Sequence, residues 1–126
     1  TGSLVERSVV EGLAGHGAKL TLRASTLPSR VVAMLKALDG GETRLHAHAG
    51  NGIVVGHYDS TTLELATTLV GRWRESAAGA VVIVGCPTEW KRALDVWGPR
   101  RGDAPLMREV RRRFDPRGLF NPGRFV

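Results

Sequence analysis

The feature that most constrains this chain is the dipeptide Asn51-Gly52, set between two segments that alternate apolar and polar residues, "TRLHAHAG" and "NGIVVGHYD". Both residues tolerate positive φ, so the pair predicts a two-residue type I′ turn closing an antiparallel hairpin. A hairpin exposes hydrogen-bonding edges and one apolar face, so the segments around it must supply further strands and a cover. They do so on both sides in the same order. Upstream, "AKLTLRA" alternates with Leu20 and Leu22 on one side, which predicts a strand. Pro28 then opens a helix with a Val31, Leu35, Leu38 stripe, ended by Gly40-Gly41. Downstream, Thr61 and Glu64 have capping-box spacing, and Leu63, Ala66, Val70 and Trp73 form the stripe of a longer helix running to about Ala77. Gly79 breaks that helix, and "AVVIVG" predicts a well-buried strand.

The order over residues 18–85 is therefore β-α-β-β-α-β. This is the ferredoxin-like, split βαβ arrangement of the α+β class, a four-stranded antiparallel sheet with both helices on one face. Residues 1–17 read as a helical lead-in, with a short helix over 4–14, and 18–96 as the sheet domain. Residues 97–126 read as an extension with a short helix before it at 88–96, a helix from about 104 to 114, and a bent tail. The start "TGSLVERS" reads as a cut or tagged end, without the layout of a signal peptide. At 126 residues, with 42% apolar and 24% charged residues, one soluble domain with a usable core is expected. Cys86 is the single cysteine, which excludes an internal disulfide and fits a reducing compartment.

The net charge of +6 is unevenly placed: residues 1–96 carry ten Lys/Arg against nine Asp/Glu, whereas residues 97–126 carry eight Arg against three acids. The nearby aromatics (Trp97, Phe114, Phe120 and Phe125) are not interleaved with the arginines as a stacking platform requires, and Arg108, Arg111, Arg112 and Arg113 read as the wet side of a helix. Nucleic-acid binding is not expected.

A sheet covered on one side leaves its other face for solvent or a partner. With Asn51-Gly52 as the turn, His46 lies opposite His57 and His48 opposite Val55, on one face with Arg44 and Ile53. Leu45, Ala47, Val54 and Gly56 take the other. A slip of the turn to Gly50-Asn51 would pair His46 with Val55 and undo the His–His contact. The histidines admit three readings: solvated surface residues, metal ligands, or a wall facing a substrate or cofactor. A closed zinc site wants about four ligands and no Cys or acid is suitably spaced, so no metal is expected. Cys86, before Pro87, reads as packing. No Walker A loop or dinucleotide fingerprint is present.

The segment "VWGPRRGDAPLMREVRRRFDPRGLFNPGRF" resembles the C-terminal end of FAD-linked oxidases of the vanillyl-alcohol oxidase type, most nearly the flavin-binding subunit of glycolate oxidase. The resemblance runs through Trp97, Gly98, Leu106, Met107, Phe114, Asp115, Pro116, Gly118, Asn121, Pro122, Gly123, Arg124 and Phe125. "HAHAGNGIV" is similar, more weakly, to the glycine-rich segment of the family's cap domain. The resemblance implies that residues 18–96 are a cap over the flavin and that residues 97–126 dock on an FAD-binding domain lying N-terminal to this chain. It implies Asn121 as a cofactor contact with Arg124 behind it, and Arg44, His46, His48, Asn51 and His57 as substrate- or flavin-facing. The reaction implied is hydride removal from a 2-hydroxy acid such as glycolate, or a related alcohol, to FAD. Alone, this chain is expected to be inactive and to bind little or no FAD. Further oxidase subunits are implied partners, in the cytoplasm or at a membrane through those subunits. Longer relatives bind a metal through an "H..DGN..H" segment, where Val55 stands in place of the second histidine, so that metal role does not transfer. Asp115-Pro116-Arg117-Gly118 is expected to stop the last helix, Asn121-Pro122-Gly123 to make a rigid turn, and Phe114, Phe120 and Phe125 to anchor it by burial. In isolation, Ile53 and Val55 are expected to expose apolar surface and favour a dimer. The alternative is a stand-alone ferredoxin-like binding or assembly module without catalysis.

Overall fold

The computed structural model describes residues 17–40, 43–99 and 102–120. The expected 4–14 helix, and Asn121, Arg124 and Phe125, lie outside the described residues. The chain divides into two compact units, Thr1–Val96 and Trp97–Val126.

In the first unit, strand β1 (Leu20–Ser25) leads through a 3-10 turn (Pro28–Arg30) into helix α1 (Val31–Leu38). Strands β2 (Thr43–His48) and β3 (Ile53–Tyr58), helix α2 (Leu63–Ala77) and strand β4 (Val81–Gly85) follow. The sheet order is β2-β3-β1-β4, and every neighbouring pair is antiparallel. This is the ferredoxin-like α+β fold expected from the pattern. Alternation drives it: Leu20, Leu22 and Ala24 of β1, Val54 and Tyr58 of β3, and Val81 and Ile83 of β4 point to one side. There they form a single core with Val31, Met34 and Leu38 of α1 and Ala66, Val70, Trp73 and Ala77 of α2. Met34 takes the central place expected of Leu35, which packs at the rim of the cluster.

Three local expectations are corrected. Thr62, not Thr61, caps α2, its hydroxyl accepting from the Leu65 amide at 3.4 Å. Thr61 is buried, and its hydroxyl donates to the Thr62 carbonyl at 3.2 Å, so it cannot serve the helix end. Among the described residues strand β4 is an edge strand: Val81 and Ile83 are buried, but Val84 points outward and is exposed. Its continuous β-branched run resembled a strand covered on both faces, whereas only one face is covered. Beyond it, the expected helix at 88–96 is a 3-10 turn (Thr88–Arg92) that sends Trp90 and then Leu94 into the core. The Val96 carbonyl then accepts from the Ile83 amide at 2.9 Å, returning the chain to the β4 edge.

The hairpin register is also corrected. The connection is four residues long, a 3-10 turn (Ala49–Asn51) closed by Gly52 at φ 69°. His46 therefore lies opposite Val55, Arg44 opposite His57 and His48 opposite Ile53. Only Gly52 enters the left-handed region, and a Cβ there would overlap the Thr26 carbonyl. The Gly52 carbonyl in turn accepts from the Thr26 amide at 2.8 Å, so the hairpin tip is pinned to the β1–α1 link. This tertiary contact, not the φ preference of Asn51, sets the turn.

In the second unit, helix α3 (Ala104–Phe114) ends where expected. Asp115 bends the chain: its carboxylate accepts from the Leu119 and Phe120 amides, both at 2.8 Å, and Gly118 turns with φ 63°. Two of the expected phenylalanine anchors are not buried, Phe114 being 83% and Phe120 72% exposed. Hydrogen bonds to one carboxylate hold this bend in place of aromatic packing.

Candidate functional site on the outer sheet face

Alternation that sends apolar residues of the strands to the helices sends a different set the other way. From β2 come Arg44, His46 and His48; from β3, Ile53, Val55 and His57; from β1, Thr21 and Arg23. The register slipped by two residues, an even number, so every side chain kept its expected face. Arg44, His46, His48 and His57 are thus brought together. Asn51 is not among them: it sits in the turn beyond the last pair, His48 and Ile53.

The slip did not separate the histidines. His46 and His57 are diagonal neighbours, and their rings stack with centroids 5.3 Å apart and planes 22° from parallel. His48 meets His46 edge-on at 6.0 Å. His57 is only 2% exposed, although it projects away from the helices. Its Nδ1 shares a hydrogen bond with the Thr21 hydroxyl at 3.1 Å. Thr21 was not singled out in the sequence, yet β1 parity places it on this face, directly opposite His57. The buried His57 Nε2 and His46 Nδ1 have no hydrogen-bond partner, an unusual state for polar atoms out of water.

Burial, then the neighbouring His57 and His48, holds the His46 imidazole below its ordinary pKa. His46 is therefore held toward its neutral form, stacked on the buried ring of His57. Arg44 beside it is already bonded, its Nη2 donating to Asp59 at 2.8 Å. Stacked rings direct their in-plane lone pairs side by side instead of toward a common point, and among the described residues no three His, Cys, Asp or Glu side chains are grouped to hold a metal ion. Ile53 and Val55 are half-buried on this face. Cys86 is half-buried against the core, and burial pushes its thiol pKa up, away from nucleophilic chemistry.

No family model, curated protein or solved structure matches this chain. Among the described residues no helix is long and apolar enough to cross a membrane.

Proposed function

We propose that this chain is the cap and C-terminal portion of an FAD-linked oxidoreductase acting on a 2-hydroxy acid or related alcohol. The observation that carries the reading is the bare side of α3. Leu106, Met107, Val110 and Phe114 recur at helical spacing on one side of the helix, and all four are exposed, Leu106 at 66%. Arg108, Arg111, Arg112 and Arg113 take the remaining sides, Arg112 and Arg113 sharing Glu109. An amphipathic helix with its apolar side in water calls for a cover, and the family resemblance supplies one, an FAD-holding module N-terminal to this chain.

The outer sheet face supports the same reading from the substrate side. Its donor set suits a small oxygenated substrate: imidazoles with unpaired nitrogens, beside an Arg44 that engages Asp59. FAD, when bound, takes the hydride. The protein's part is to orient the substrate hydroxyl and accept its proton, and the exposed His48 has the chemistry to do so.

The experiment is to express the chain together with the sequence encoded upstream and record its visible absorbance. The expected protein is yellow, is bleached anaerobically by a 2-hydroxy acid, and loses flavin when Leu106 and Val110 are both changed to Gln. A folded but colourless protein would overturn the proposal and leave a binding module as the reading.

A further inference from the structure

The unpaired nitrogens of His46 and His57 have a second consequence, independent of any cofactor. We propose that the stacked His46–His57 pair is an acid-sensitive latch that holds edge strand β2 on β3. The geometry carries this. Among the described residues β2 has one neighbouring strand, so its attachment there rests on its ladder to β3 and on the side chains either face contributes. On the outer face the pair is the ring contact that bridges the two strands. Among the described residues a proton added to these buried nitrogens finds no acceptor: His57 Nε2 and His46 Nδ1 are both unpaired, and His57 Nδ1 is bonded to the Thr21 hydroxyl.

The neighbouring imidazoles oppose a proton on His46 as well; the other charged groups around the stack are few among the described residues. From β2, Arg44 lies opposite His57 and His48 lies against His46; from β1, Arg23 lies opposite Val55, between them along the strand. Lys19, at the head of β1, is engaged over the Trp90 ring, 5.2 Å from its centre. β4 turns Val82 and Val84 to this side, neither titratable. Asp59 is the one acid on this face among the described residues, and it is bonded to Arg44. An imidazolium is therefore better accommodated once β2 has lifted and the rings are in water. Opening takes up a proton, so acid favours the open state. The device would release whatever rests on this face as pH falls through the imidazole range.

The test is amide hydrogen exchange of the 126-residue chain across that range, read as protection factors so that the pH dependence of the exchange chemistry divides out. Between the ordinary histidine value of 6.5 and about pH 5, protection of the Thr43–His48 amides is expected to fall by up to about tenfold per pH unit, as for uptake of one proton. Protection in β1 should change little. His46→Phe keeps a ring in the stack without a titrating nitrogen and is expected to abolish the pH dependence while keeping β2 protected. Should His46→Phe fail to fold, the histidine ring signals of the unmodified chain decide: the His46 ring must titrate together with the loss of β2 protection. Protection of β2 that is flat with pH, or that falls equally in His46→Phe, would overturn the latch.

Discussion

The Trp73 indole Nε1 donates to the Tyr58 hydroxyl at 2.7 Å, wholly inside the core. Tyr58 ends β3 and Trp73 lies on α2, so one bond ties the sheet to the helix across 15 positions of sequence. Burial pushes the Tyr58 phenol above its ordinary pKa, which keeps it neutral over the working range. Tyr58→Phe removes the acceptor and strands a buried N–H, an expected loss of ~1–3 kcal/mol in unfolding free energy. Removing both polar groups is expected to cost less than the two single changes added. A double-mutant cycle in urea that returned strict additivity would show the bond to be energetically idle.

Gly56 lies under the same indole. A Cβ at this position would overlap the Trp73 ring and stand 3.0 Å from Leu45 Cδ2. Gly56→Ala is therefore an overpacking change in a filled core, with an expected destabilisation of ~1–3 kcal/mol. Trp73→Leu vacates that volume, so Gly56→Ala should cost little in its presence. Thermal unfolding of the four proteins checks the coupling.

Gly50 and Gly52 share the hairpin turn but differ in what they face. Gly50 has open space where a Cβ would go; Gly52 has positive φ and the Thr26 carbonyl. Gly50→Ala is expected to be near neutral. Gly52→Ala should lose more than the ~1–2 kcal/mol of a left-handed residue alone, because the clash adds to it. Equal effects in denaturant titrations would mean that the tip is not pinned to the β1–α1 link.

These glycines also show what the sequence disclosed and what it withheld. The order of elements and the face each strand residue takes were legible, because periods of two and 3.6 survive small errors of register. The hairpin register was not. Asn51-Gly52 has the composition of a two-residue turn, and what overrides it is the seat of Gly52 against Thr26, a contact distant in sequence. The shared face of Arg44, His46, His48 and His57 survived because the slip was even. The burial of His57 was invisible, since it depends on diagonal stacking by His46 and on Thr21 across β1. Thr61 read as a cap because spacing alone cannot tell that its side chain is used in the core. The three phenylalanines near the end of the chain looked like anchors by composition, and two of them face solvent while a carboxylate makes the bend.

That carboxylate supplies a pH-dependent test of the C-terminal unit. The Phe120 and Leu119 amides, with smaller help from Arg111 and the Gly118 amide, hold the Asp115 carboxyl below its ordinary value of 3.8. A depressed acid pKa means that the unfolded turn binds the proton more readily than the folded one. The carboxylate's contribution is thus complete above the ordinary aspartate range and is lost as pH falls through the lowered folded value. The Leu119 and Phe120 amide proton signals should accordingly move together toward unstructured positions on acidification, following one titration. Asp115→Asn leaves a single carbonyl oxygen to serve two amides and removes the proton equilibrium. At neutral pH it should reproduce the acid-form signals in part, and show no titration below that. The first unit should be unaffected in both cases, since the Asp115 bonds lie within the second. If the two amide signals stay fixed through the titration and in Asp115→Asn, the bend is held by something other than this carboxylate.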